Sequence, residues 1–131
     1  MKIVRKNRLN EMALIGYSAK RGGFKGMKLE IISSEYKGTG EEPHIHLFPA
    51  NHIDKDGKSN NHDLITRVKL TKEFPKSPND IVAIKDNPEI QDEYKEEIYK
   101  WSQMNNKYGI NNWLNALNIW DAIQGVLDNG R

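Results

Sequence analysis

The chain contains no cysteine. That excludes disulfide staples, cysteine-ligated zinc and thiol nucleophiles together. Aromatic residues make up only 8% of the 131 residues, and there are 5 prolines. No apolar run approaches the roughly 20 residues that a membrane-spanning helix requires. The first residues, Met1-Lys2-Ile3-Val4-Arg5-Lys6, return to basic side chains at once, so no apolar core of a secretory signal forms there. These absences predict a soluble, cytoplasmic protein with no membrane partner. Complete catalytic motifs are lacking too. The sequence holds no Gly-x-Ser-x-Gly elbow, no His-Glu-x-x-His helix and no Walker A loop.

What is present suits a single domain over residues 1–131. Charge is unevenly spread along it. Residues 1–28 carry eight Lys or Arg against one acid, residues 29–85 eight against nine, and residues 86–131 four against eight. The front is therefore an anion-seeking segment and the back is acidic.

Residues 1–73 read mainly as strands. Met27-Lys28-Leu29-Glu30-Ile31-Ile32 and Leu64-Ile65-Thr66-Arg67-Val68-Lys69-Leu70 alternate apolar and polar, as half-buried strands do. His44-Ile45-His46-Leu47-Phe48 is a third strand, closed by Pro49. Lys20-Arg21-Gly22-Gly23-Phe24-Lys25-Gly26 reads as a glycine turn, and residues 51–63 as a polar turn.

Residues 74–131 read mainly as helices. Asn87-Pro88 predicts a helix start, with Asn as N-cap and Pro at the first helical position. Ile90, Tyr94, Ile98, Trp101 and Tyr108 form its apolar stripe, and Lys107-Gly109 its end. A second helix is expected from Asn111 to Leu127. Its stripe is Trp113, Leu117, Trp120, Ile123 and Leu127, widened by Leu114 and Ala116. A short helix over residues 77–84 precedes both. Strands first and helices last predict an α+β fold. The expected architecture is an antiparallel sheet of four or five strands with two C-terminal helices packed on one face.

Two groups of residues could carry chemistry. His44 and His46 stand two apart on a strand, so both imidazoles face the same side. With His52 and His62, and with Asp54, Asp56 and Asp63 nearby, they are candidate ligands for a divalent transition metal, although no cofactor is required. Residues 54–65 do not complete a calcium loop, because Lys58, Ser59 and Ile65 occupy its fifth, sixth and twelfth positions. The second group is Lys20, Arg21, Phe24, Lys25 and Lys28. It combines cations, glycine backbone and one aromatic, which suits phosphate contact and base stacking.

Glu42-Pro43-His44-Ile45-His46-Leu47 resembles a strand found in a family of small bacterial proteins, where it reads Pro-Pro-His-Phe-His. In that family a Trp-bearing helix and a final Trp-bearing segment follow, here matched by Trp101 and by Trp113 or Trp120. The resemblance implies a toxin–antitoxin or mobile-element association and a small regulatory or interaction protein. The expected function is therefore non-catalytic binding of a macromolecule in a prokaryote, phage or mobile element. Trp101, Trp113 and Trp120 read first as core packing, and any surplus among them would leave an aromatic patch for a partner. A protein is the expected partner and nucleic acid the other candidate. The alternative is a metal-dependent hydrolase or nuclease using His44 and His46.

Overall fold

The computed structural model describes residues 17–21, 24–31, 42–53 and 61–129, with side chains described within 26–31, 42–53 and 61–122. The fold is α+β. Strands β1 (Tyr17–Arg21), β2 (Phe24–Glu30), β3 (His44–Pro49) and β4 (Thr66–Lys69) lie side by side in chain order. Each neighbour is antiparallel. Helices α1 (Asp92–Ser102) and α2 (Asn112–Asn129) follow. No described helix is long and apolar enough to cross a membrane.

The glycine turn is shorter than the sequence implies. Lys20 and Arg21 belong to β1 and Phe24 to β2, with Arg21 opposite Phe24. The register slips between Ala19 and Arg21. Gly26 lies inside β2 at φ 103, a backbone conformation that glycine adopts without strain.

Register separates the two faces of the sheet. Leu29 stands opposite Leu47, Met27 opposite Pro49, and Ile45 opposite Val68. Met27, Leu29, Ile31, Ile45, Leu47 and Val68 form one buried apolar cluster with Ile98, Trp101, Trp113, Ala116 and Trp120 from the helices. The helices therefore cover the apolar face, which is the physical reason for the amphipathic stripes on both. Trp101 and Trp113 meet edge to face at 6.1 Å between ring centroids. Trp113 Nε1 donates to the Thr71 carbonyl at 2.8 Å and ties α2 to the end of β4. All three tryptophans are buried. They are core anchors, as their helical spacing implies, and leave no aromatic patch for a partner.

Three further expectations need correction. Residues 77–84 form only one 3-10 turn, Pro78–Asp80. Val82 and Ile84 instead hydrogen-bond the backbone of β4, and Ala83 bridges Val68, so this segment lies along the outer edge of the sheet. The helix expected from Asn87 begins at Asp92 behind Gln91. Asn87 is occupied elsewhere: its Oδ1 accepts from Arg67 Nη1 at 3.1 Å and its Nδ2 donates to the Lys85 carbonyl. Thr66 Oγ1 donates to the Pro88 carbonyl at 2.7 Å. Both contacts keep residues 87–88 against β4 rather than in a helix.

Helix α1 also stops early, at Ser102. Asn111 Nδ2 donates to the Ser102 carbonyl and Asn112 Nδ2 to the Trp101 carbonyl. These two amides satisfy carbonyls that another helical turn would have taken. Tyr108 consequently leaves the apolar stripe and Leu114 turns outward.

One ionisable group in α1 is perturbed. Burial, and secondly the Glu93 carboxylate, push the Tyr94 phenol above its ordinary 10.0. The unfolded chain releases this proton first as pH rises. The stability linked to it is therefore intact below the unfolded value and falls as pH climbs toward the folded one. Glu93→Gln is expected to lower the Tyr94 transition, followed by NMR, without returning it to 10.0, because burial remains.

Candidate functional site

The second face of the sheet is polar, and it too is buried. Antiparallel pairing sets Glu30 opposite His46 and His46 opposite Arg67, so these three form one row across β2, β3 and β4. Directly opposite side chains have Cβ atoms about 4.5–5.5 Å apart. The next positions on this face pair His44 with Lys69 and Phe48 with Lys28. Glu30, His44, His46 and His52 are all buried, and Arg67 and Lys69 are half-buried.

Each described buried histidine is oriented through Nδ1. His44 Nδ1 donates to the Glu42 carbonyl at 2.8 Å. A carbonyl only accepts, so Nδ1 carries the proton and the neutral ring has its lone pair on Nε2. His46 Nδ1 lies 3.2 Å from Asn61 Oδ1, and His52 Nδ1 lies 2.5 Å from Asp63 Oδ1. The His44 and His46 rings stack at 5.2 Å with planes 18° apart, and Trp120 meets His44 at 5.2 Å. His52 lies flat on Phe48 at 3.7 Å and 7°. Lys28 Nζ donates to the His52 carbonyl at 2.6 Å and fixes the turn that carries His52.

His52 also joins two carboxylates. Beyond Asp63 on Nδ1, its Nε2 lies 3.9 Å from Glu30 Oε1. Asp63 is 32% exposed, whereas Glu30 is buried. A line of acid and imidazole groups thus runs from the surface at Asp63, through His52, to Glu30 and the row containing His46.

The expected metal ligands are distributed unequally. His44, His46 and His52 share this buried face, while His62 is exposed in the turn before β4. Asp54 and Asp56 lie outside the described residues. Among the described residues, no three His, Asp or Glu side chains gather as ligands to one ion. Histidines that bind metals are often held through Nδ1 in this way, but the described residues do not assemble a three-ligand site.

In the expected anion-binding group, the backbone sets Lys20 and Arg21 at the end of β1 and Phe24 and Lys25 at the start of β2. The side chains of these four lie outside the described residues. Lys28 is farther along β2, bonded to the His52 carbonyl.

Neither Glu30 nor Arg67 stands out in the sequence, because cross-strand register brings them to His46. The sequence likewise gave no sign of the surface between the helices. There Met104 is 47% exposed, Tyr108 76%, Ile110 41% and Leu114 41%. The loop that carries the first three is tightly organised, and Leu114 lies on the first turn of α2. Asn106 Oδ1 accepts from the Tyr108 and Ile110 amides at 2.9 and 3.0 Å, and the Asn106 amide donates to the Ile110 carbonyl at 2.7 Å. The Asn112 amide donates to the Met104 carbonyl at 2.9 Å. Gly109 makes the bend at φ 82. Lys107 is the only charged residue between 103 and 120, and its Nζ lies 5.2 Å from the centroid of the Tyr108 ring.

An open cavity of about 290 Å³ is lined by Thr71, Glu73, Phe74, Pro75, Lys76 and Asp80. No protein-family model, no curated protein and no solved structure matches the chain, so the functional reading rests on its own geometry.

Proposed function

We propose that the chain is a protein-binding module and that the surface between α1 and α2 is where its partner docks. The observation that carries this reading is the exposed set Met104, Tyr108 and Ile110, on a loop held by Asn106, with Leu114 beside them on the first turn of α2. Interface cores are depleted in charge and enriched in Tyr, Met and other large apolar residues. Residues 103–120 share that composition, with one charge among them. A loop ordered before binding also loses little conformational freedom on docking. The complementary partner is a different protein that presents an uncharged apolar recess to Tyr108, with a carboxylate at its rim for Lys107.

The test compares capture by the immobilised wild-type protein with capture by variants, followed by binding titrations on the captured protein. Tyr108→Ala is expected to weaken binding about tenfold or more, as removal of an interface anchor does. Asn106→Ala removes no exposed apolar group, yet it is expected to weaken binding too, by releasing the loop. Lys95→Ala, on α1 outside the loop, is expected to bind as wild type. Binding unchanged by Tyr108→Ala would overturn the proposal. So would self-association of the purified protein that Tyr108→Ala abolishes, which would seat a second copy there.

A further inference from the structure

We infer that the cavity lined by Thr71, Glu73, Phe74, Pro75, Lys76 and Asp80 binds a small zwitterion, an α-amino acid with an apolar side chain. None of these residues belongs to the docking surface between the helices, so the two proposals stand or fall separately.

The wall of the cavity is fixed before any ligand arrives. Four of its carbonyls already accept hydrogen bonds. Trp113 Nε1 donates to the Thr71 carbonyl at 2.8 Å, and the Thr71 hydroxyl to the Glu73 carbonyl at 2.6 Å. Gln103 Nε2 donates to the Pro75 carbonyl, and the Tyr99 hydroxyl to the Lys76 carbonyl, both at 3.2 Å. The wall is thus tied to α1 through Tyr99 and to α2 through Trp113. The Lys76 amide donates to Asp80 Oδ2 at 2.9 Å, which orients that carboxylate and uses only one of its oxygens. A site ordered in advance loses little conformational freedom on binding. With these carbonyls taken by the fold, recognition falls to the side chains.

Charge of both signs lines this space. Lys76 brings an ammonium, and Glu73 and Asp80 bring carboxylates. Among the described residues, none of the three charged groups forms an ion pair. Opposite charges that share a small cavity without pairing match a ligand that carries both. Its carboxylate meets Lys76, and its ammonium meets Glu73 and Asp80. A simple cation would be opposed by Lys76 and a simple anion by two carboxylates, and like charges brought together are unfavourable. Phe74, 41% exposed, supplies apolar contact for the ligand side chain. At about 290 Å³ the cavity lies at the lower limit of ligand sites, roughly 300–1,000 Å³. That size suits an amino acid and is small for a nucleotide.

The test titrates L-leucine into the isotope-labelled full chain and follows amide resonances by NMR. Two analogues separate the charges: leucinamide keeps only the ammonium, and N-acetyl-leucine keeps only the carboxylate. Leucine is expected to shift resonances within residues 71–80, with a dissociation constant on the order of 1 mM for so small a ligand in an open site. Both analogues should bind the wild type about fivefold more weakly, and Lys76→Gln and Glu73→Gln should weaken leucine by as much, the upper worth of an exposed ion pair. Phe74→Ala should weaken all three ligands. Lys76→Gln should not weaken leucinamide, which has no carboxylate for the ammonium to hold. Lys72→Gln, the same charge change outside the cavity, should bind leucine as wild type. The spectra show whether each variant is folded, and the three ligands on the wild type carry the test wherever one is not. Absence of shifts at residues 71–80 on adding leucine would overturn the inference. So would equal or tighter binding of either analogue, weaker leucinamide binding in Lys76→Gln, or an equal loss of leucine binding in Lys72→Gln.

Discussion

Trp113→Ala is expected to lower folding stability by about 3–5 kcal/mol, the range for truncating a buried large aromatic. Small domains are stable by only about 5–15 kcal/mol, so this one change would consume much of the margin. Two losses combine. The indole is buried in the cluster shared by sheet and helices, edge-on to Trp101. Its Nε1–H also satisfies the Thr71 carbonyl. Trp113→Phe separates the two, since it keeps most of the apolar contact and removes the donor. It should cost about 1–3 kcal/mol, the range for a buried polar group left unmatched. Leu114→Ala, one residue along but outward-facing, should stay within about 0.5 kcal/mol. Urea unfolding monitored by circular dichroism gives all three values. Equal losses at 113 and 114 would show that α2 presents a different face to the sheet.

Leu47→Ala is expected to cost about 2–5 kcal/mol. Leu47 is buried at the centre of the apolar face, opposite Leu29 and next to Ile45–Val68 in the register. Because Leu29 is its direct neighbour, the double variant Leu29→Ala/Leu47→Ala should depart from the sum of the single ones by about 0.5–3 kcal/mol. Additive losses would place the two side chains apart and contradict the register. The same register carries the row Glu30, His46 and Arg67, so this stability measurement also tests the alignment of the histidine face.

The parts of the fold legible in the sequence are those that repeat locally. Alternation exposed the strand at His44-Ile45-His46-Leu47-Phe48, and the spacing of Ile98 and Trp101 exposed the stripe of α1. Both signals come from residues a few positions apart. Helix limits were less legible because distant side chains set them. Asn111 and Asn112 take the carbonyls of Ser102 and Trp101, and Arg67 and Thr66 hold residues 87–88 on β4. An Asn-Pro pair carries no mark of such partners. The histidine pair was visible for the same local reason that the strand was. Glu30, Arg67 and the Asp63–His52 contact depend on pairing between residues 11 to 21 positions apart, which periodicity does not encode. Tyr108 was assigned to a buried stripe because the helix was extended through it. Its exposure follows from the early stop.

The segment running along β4 limits how the molecule can grow into larger assemblies. The Lys69 amide donates to the Val82 carbonyl at 2.8 Å, and the Ile84 amide donates to the Arg67 carbonyl at 3.1 Å. These bonds take one outward amide and one outward carbonyl of a strand only four residues long. An exposed strand edge is a template on which foreign chains can register, and covering it removes that template. On this flank the covering segment stands between β4 and any incoming strand, so fibre-like extension or capture of a strand-forming peptide would first have to displace residues 82–84.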